Sequence, residues 1–146
     1  MKTAIVYYSK HHGNTEKLLK AIAAGHDDVT LIDVTSQPDA DVTGYDRVGF
    51  ASGIYYSKFH KSVLNFARER LPEGCKTFYL YTCGADKKGY TDAISASVAA
   101  HHGQELGAFG CLGFDSFGPF KLIGGIAKGH PDDTDLQNAV KFYEGL

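Results

Sequence analysis

The sequence predicts an α/β fold of the doubly wound kind, a mostly parallel sheet with helices on both faces. Three observations predict it. Short apolar runs alternate with amphipathic runs from one end of the chain to the other, the pattern of repeated βαβ units. The apolar runs are near-continuous, as strands buried on both faces are. Five such runs fit within 146 residues, the size of one domain. No repeat, low-complexity stretch or linker divides the chain, so 1–146 reads as a single domain.

Each element has its own signal. Lys2–Tyr8 (KTAIVYY) reads as the first strand. In Thr15–Ala24 (TEKLLKAIAA), Leu18, Leu19 and Ile22 share a helical face, and Gly25 ends the helix. Val29–Val34 is the second strand. Thr35–Tyr45, with Ser36, Pro38, Asp39, Asp41 and Gly44, reads as irregular turns. Asp46–Ser52 (DRVGFAS) is the third strand. Lys61–Arg70 (KSVLNFARER) is a helix facing inward through Val63, Leu64 and Ala67, and Pro72-Glu73-Gly74 breaks it. Cys75–Thr82 (CKTFYLYT) is the fourth strand. Thr91–His101 is a helix with Ile94 and Val98 on one side, stopped by Gly103. Leu106–Leu112 is the fifth strand. Pro131 followed by Asp132 and Asp133 marks the start of a last helix, because carboxylates suit the positive end of the helix dipole. Leu136, Val140, Phe142 and Tyr143 carry that helix inward.

Composition excludes several classes. The formal net charge is −2, so no basic excess exists to neutralise nucleic-acid phosphates. No apolar run approaches the roughly 20 residues that span a bilayer. The start of the chain lacks a signal-peptide core, which places the protein in the cytoplasm. Cys75, Cys83 and Cys111 are odd in number and widely spaced, and read as reduced thiols rather than metal ligands.

In a doubly wound sheet, ligands bind beyond the carboxyl ends of the strands, at the topological switch point. The loop after strand one, Ser9-Lys10-His11-His12-Gly13-Asn14-Thr15, is polar and runs straight into a helix. Its hydroxyl and amide side chains, its glycine and the helix N-terminus suit a phosphate group. The GxxxxGK[ST] pattern is absent. The loop after strand three, Gly53–His60, holds Tyr55, Tyr56 and Phe59; aromatics at a sheet mouth either cover something flat or cap the core. Phe59 is expected to be the structural one. The loop after strand four, Cys83–Tyr90, has two glycines and ends on Tyr90, a second wall or a staple onto the next helix. Together the three loops describe a pocket for a phosphorylated planar cofactor.

These residues resemble the flavodoxin family. Tyr8-Ser9, followed by Gly13-Asn14-Thr15, is similar to the flavodoxin loop that holds the FMN 5′-phosphate, with three intervening residues where two are common. Thr82-Cys83-Gly84 through Tyr90 resembles the loop whose aromatic stacks on the flavin ring. The resemblance spans nearly the whole chain. It implies a flavodoxin-like five-stranded sheet in the order 2-1-3-4-5, FMN as cofactor, and a cofactor-binding set of Ser9, Lys10, His11, His12, Gly13, Asn14, Thr15, Ser52, Gly53, Ile54, Tyr55, Tyr56, Thr82, Cys83, Gly84 and Tyr90. Tyr55 or Tyr56 would sandwich the ring with Tyr90.

Two functions follow. The first is an electron shuttle that needs no catalytic residue and no metal. The second is an FMN-dependent oxidoreductase of the quinone or protoporphyrinogen type, with NAD(P)H as a candidate donor. Ser52-Gly53-Ile54-Tyr55-Tyr56 is closer to flavodoxin-like quinone reductases and protoporphyrinogen oxidases than to carriers, and the chain has no Trp and little of a carrier's acidity. His60, His11 or His12 would then move protons. The partners are redox proteins or a small redox-active substrate, and the expected state is a monomer or weak dimer. The Gly-rich, aromatic segment Phe114–His130 has three open roles: extending the fifth strand, covering the flavin, or packing on a partner.

Overall fold

A computed structural model of the chain describes residues 1–9, 13–85, 87–113 and 129–146. Its elements run β1 (Thr3–Tyr8), α1 (Asn14–Ala24), β2 (Val29–Asp33), β3 (Arg47–Tyr55), β4 (Lys58–Phe59), α2 (Lys61–Arg70), β5 (Lys76–Cys83), α3 (Asp92–Ala100), β6 (Gln104–Leu112) and α4 (Asp133–Glu144). The five long strands are parallel in the order β2-β1-β3-β5-β6, the expected 2-1-3-4-5. The chain moves outward from β1 to β2, then returns to the other side of β1 as β3. The switch point therefore lies between β1 and β3.

Strand side chains alternate between two cores. Ala4, Val6, Val48, Phe50 and Tyr79 face the layer of α2 and α3, with Val63, Ala67, Ile94 and Val98. Ile5, Ala51, Phe78 and Leu80 face the layer of α1 and α4, with Leu18, Leu19, Ile22 and Tyr143. At the amino ends of the strands Arg47 is buried, and among the described residues its partners are a hydroxyl and a ring. Its Nε donates to Thr3 Oγ1 at 2.9 Å, and its guanidinium lies 4.7 Å from the Tyr143 ring centre. Tyr143 donates its own hydroxyl to the same Thr3 oxygen at 3.0 Å. This clamp ties α4 to the end of the sheet opposite the strands' carboxyl ends.

The last helix begins as its carboxylates predict. Asp132 caps it, accepting the Asp135 N–H at 2.9 Å, while the Asp135 side chain accepts the Asp132 N–H at 2.9 Å. The turns between β2 and β3 contain no helix. Burial pushes the Cys111 thiol up to about 12 and raises that of Cys75, so neither is a thiolate at neutral pH.

Two sequence expectations are corrected. Gly53–His60 is not a loop after a strand ending at Ser52. β3 continues to Tyr55, and Lys58–Phe59 folds back against it, pairing Tyr55 with Lys58 and Ile54 with Phe59. The two-residue turn puts Tyr56 and Ser57 at φ 51° and 67°. Left-handed pairs of this kind normally carry Asn-Gly, so Tyr56-Ser57 carries no turn signal, and each residue holds a conformation costing about 1 kcal/mol. The second correction concerns α3. The left-handed residue that ends it is His102 (φ 54°), not Gly103. Gly103 is needed for space, since a Cβ there would stand 2.6 Å from Val98 Cγ1.

Candidate cofactor site

The carboxyl ends of β1, β3, β5 and β6 converge at one edge. Gly13 takes a left-handed conformation (φ 65°) at the N-cap of α1, and a Cβ built there would meet none of the described residues within 4 Å. Among the described residues, the space beside Gly13 at the first turn of α1 is open. Gly13 has no side chain to cap the helix. Ser9 does so from across the loop, its Oγ accepting the Glu16 N–H at 3.0 Å. Behind the open space, Thr15 and Thr82 are buried with their hydroxyl oxygens 2.9 Å apart, which joins the start of α1 to the end of β5. Asn14 is buried against Gly113, where a Cβ would stand 2.8 Å from Asn14 Nδ2. Gly113 in turn donates its N–H to the Cys83 carbonyl at 2.9 Å, and so draws the end of β6 into the same edge.

At the switch point three rings form a cluster. His60 stacks on Tyr8 with centroids 3.7 Å apart and planes within 5°, and Tyr55 meets both rings edge-on. His60 Nδ1 accepts the Ser62 N–H at 3.1 Å and so caps α2, which puts the ring proton on Nε2. Its backbone N–H donates to Ser52 Oγ at 3.0 Å. Burial, then the nearby Lys61 charge, holds the His60 pKa below its ordinary value. The folded state therefore resists protonation here. Stability is unaffected above the unfolded value of about 6.5 and is lost as pH falls below it, levelling off beneath the folded pKa. His130 works in the opposite sense: its hydrogen bond to Asp135 raises its pKa, a contribution present below about 6.5 and lost as pH rises through the folded value. Denaturant titrations from about pH 8 to about pH 5 should show wild type losing more stability than His60→Asn, which keeps a capping side chain. Identical pH profiles would remove His60 from this role.

The structure brings most of the expected site residues to this edge, in different capacities. Tyr56, at the hairpin tip, is 84% exposed. Tyr55 is half-buried in the ring cluster. Ser52 is fully buried and serves the hairpin. Gly53 is opposite Thr82 in register, and Ile54 packs on the core. Cys83 is buried and Gly84 half-buried. Tyr90 is also buried: its hydroxyl donates to the Ala85 carbonyl at 2.6 Å and its ring meets Tyr81 edge-on at 5.7 Å. An open cleft of about 440 Å³ lies beside it, lined by Tyr81 and residues 87–91. Phe59 is core, as expected. Lys10, His11 and His12, and most of the Phe114–His130 segment, lie outside the described residues. Sequence reasoning missed the stack of Tyr8 on His60, two residues 52 apart whose meeting depends on the hairpin, and it missed Gly113.

A doubly wound α/β domain with a left-handed glycine and a helix N-terminus at its switch point, and aromatic side chains beside them, has the architecture of a nucleotide-cofactor protein. Residues 5–113 match the flavodoxin domain, and the chain belongs to the flavodoxin family, whose cofactor is FMN. An uncharacterized protein of Methanocaldococcus jannaschii is 37% identical over 149 residues, covering 100% of this chain and 98% of its own. Among solved structures, a flavodoxin from the domain Archaea aligns with a TM-score of 0.68 at 19% identity, over 98% of this chain and 97% of its own. General stress protein 14 of Treponema denticola, solved in complex with FMN, aligns with a TM-score of 0.64 at 11% identity, over 99% of both chains.

Proposed function

We propose that this chain binds FMN at the edge described and acts as an electron-transfer protein. The observation that carries the reading is the open cradle at Gly13, built on a helix N-terminus and braced by the buried Thr15–Thr82 pair. It suits a dianionic phosphate, because backbone N–H groups and the helix dipole favour negative charge. The loop from Ser9 to Thr15, with Lys10, His11 and His12, holds the phosphate. Tyr56, the most exposed aromatic of the mouth, covers the ring, and the backbone at Gly53 and Ile54 meets its edge. Tyr90, Cys83 and Gly84 shape the far wall. Bound FMN supplies the redox chemistry itself, and the chain's part is to orient it and set its surroundings.

A second reading, reduction of a small acceptor with NAD(P)H, is favoured by one observation, the cleft beside Tyr81 and Tyr90. The three cysteines are free thiols, which suits a reducing, cytoplasmic location. No helix among the described residues is long and apolar enough to cross a membrane.

The test is titration of the purified chain with FMN, followed by flavin fluorescence and absorbance, then stepwise reduction. Binding with a Kd of about 1 μM or tighter is expected. No binding at well above that concentration would overturn the reading. Steady NAD(P)H consumption with a quinone would favour the enzyme over the carrier.

A further inference from the structure

Two loops at the mouth of this site are basic on a chain that is acidic overall. Residues 53–61 and 83–91 together carry Lys58, Lys61, Lys87 and Lys88 against one carboxylate, Asp86. With a net charge of −2 for the whole chain, these two segments are net +3 and the rest is net −5. All four lysines are exposed. They form one rim because the two segments are packed together. β4 contacts α3, and the Phe59 ring lies 6.2 Å from Tyr81, which lies 5.7 Å from Tyr90. Asp92 lies close to Gly89 in the first turn of α3, where it answers the helix dipole. Carboxylates stand at both ends of the sheet: Asp28, Asp46 and Glu73 near its amino end, and Glu16, Asp33, Asp132, Asp133 and Asp135 at its carboxyl edge, on the α1, β2 and α4 side and not in the two lysine-bearing segments.

We infer that this rim docks an acidic redox protein against the site edge. The inference rests on the FMN reading and names its partner by charge. A positive patch beside the site on a chain of negative net charge orients an acidic partner during approach and turns a basic one away. The occupant is a protein rather than a small anion because the four charges are spread along two loops and not convergent on one point.

The experiment compares two charge-reversed variants with the same net charge. In Lys58→Glu/Lys61→Glu the change is at the rim, and glutamate at the first position of α2 suits the helix dipole, so folding is expected to hold. In Lys2→Glu/Lys76→Glu the change is at the opposite end of the sheet. The probes are an acidic plant-type ferredoxin and the basic protein cytochrome c. Stopped-flow rates of electron exchange with the FMN-loaded chain are followed against ionic strength. NMR of the FMN-free chain with added ferredoxin maps contact without any electron transfer. The expected results are a ferredoxin rate that falls with salt, a roughly tenfold loss at low salt in the rim variant only, and shifts at the rim amides. A faster reaction with cytochrome c, equal losses in both variants, or amide shifts away from the rim would each overturn the inference. Rim shifts without FMN binding would uphold the surface and reject the flavin reading.

Discussion

Replacing Gly49 by alanine should lower the stability of the folded chain by about 3 kcal/mol and the Tm by about 10 °C. Gly49 is in the central strand β3, opposite Ile5 of β1 and Phe78 of β5. The Phe78 ring lies flat across the place where a side chain would begin: an added Cβ would stand 2.4 Å from Cζ and 2.5 Å from Cε2. Neither side can yield. Phe78 is fully buried and held by Tyr143 at 5.9 Å, Phe142 at 6.5 Å and the Arg47 guanidinium at 5.9 Å. β3 cannot shift without breaking two ladders. Gly110 makes the useful contrast. A Cβ there would come within 2.1 Å of the Tyr81 ring, but Gly110 is exposed on an edge strand and Tyr81 is only half-buried, so the ring can lift away. Gly110→Ala should therefore cost less, despite the shorter contact. Urea unfolding of both variants checks the order. Gly49→Ala/Phe78→Leu should recover part of the loss, since the smaller side chain vacates the overlap. A Gly49→Ala protein within about 1 kcal/mol of wild type would refute the account.

The three-layer fold was legible because its signal is distributed. Each strand is an apolar run, and each helix carries its own stripe, so Leu18 and Ile22 or Ile94 and Val98 report their faces independently of the rest. The turn into α1 was legible for a similar reason: Ser9, Gly13 and Thr15 are close in sequence, and the helix after them supplies the geometry. The β3–β4 hairpin was not legible. Its turn residues, Tyr56 and Ser57, are held left-handed by the pairing of Tyr55 with Lys58 and of Ile54 with Phe59, a tertiary cause that leaves no Asn or Gly in the sequence. Everything that depends on the hairpin was hidden with it, including the Tyr8–His60 stack and the service of Ser52 to the His60 backbone. Tyr90 shows another limit. An aromatic before a helix fits a cofactor wall and a staple equally well, and only the bond from its hydroxyl to the Ala85 carbonyl shows that the ring is anchored within its own loop.

Thr15→Val should weaken both the fold and FMN binding, and a second substitution separates the two effects. The Thr15 and Thr82 hydroxyls are buried and 2.9 Å apart. Valine matches threonine in shape, so the single change leaves the Thr82 hydroxyl without this partner, at a cost of about 1–3 kcal/mol. In Thr15→Val/Thr82→Val both polar groups are gone, the buried contact is apolar on both sides, and stability should return close to wild type. FMN affinity should not return. If Thr15 lends its hydroxyl to a charged phosphate, losing that bond is worth about 1.5–3 kcal/mol, or roughly 10- to 150-fold in Kd. Thr82→Val alone then discriminates: it should destabilise the fold as Thr15→Val does while reducing affinity less, because the Thr15 hydroxyl remains available to the cradle. Paired measurements of unfolding and of flavin fluorescence titration on the three variants check each step. Wild-type affinity in the double variant would mean that the threonine pair only braces α1 against β5, and that the phosphate is held by the Gly13 backbone and the remaining loop side chains.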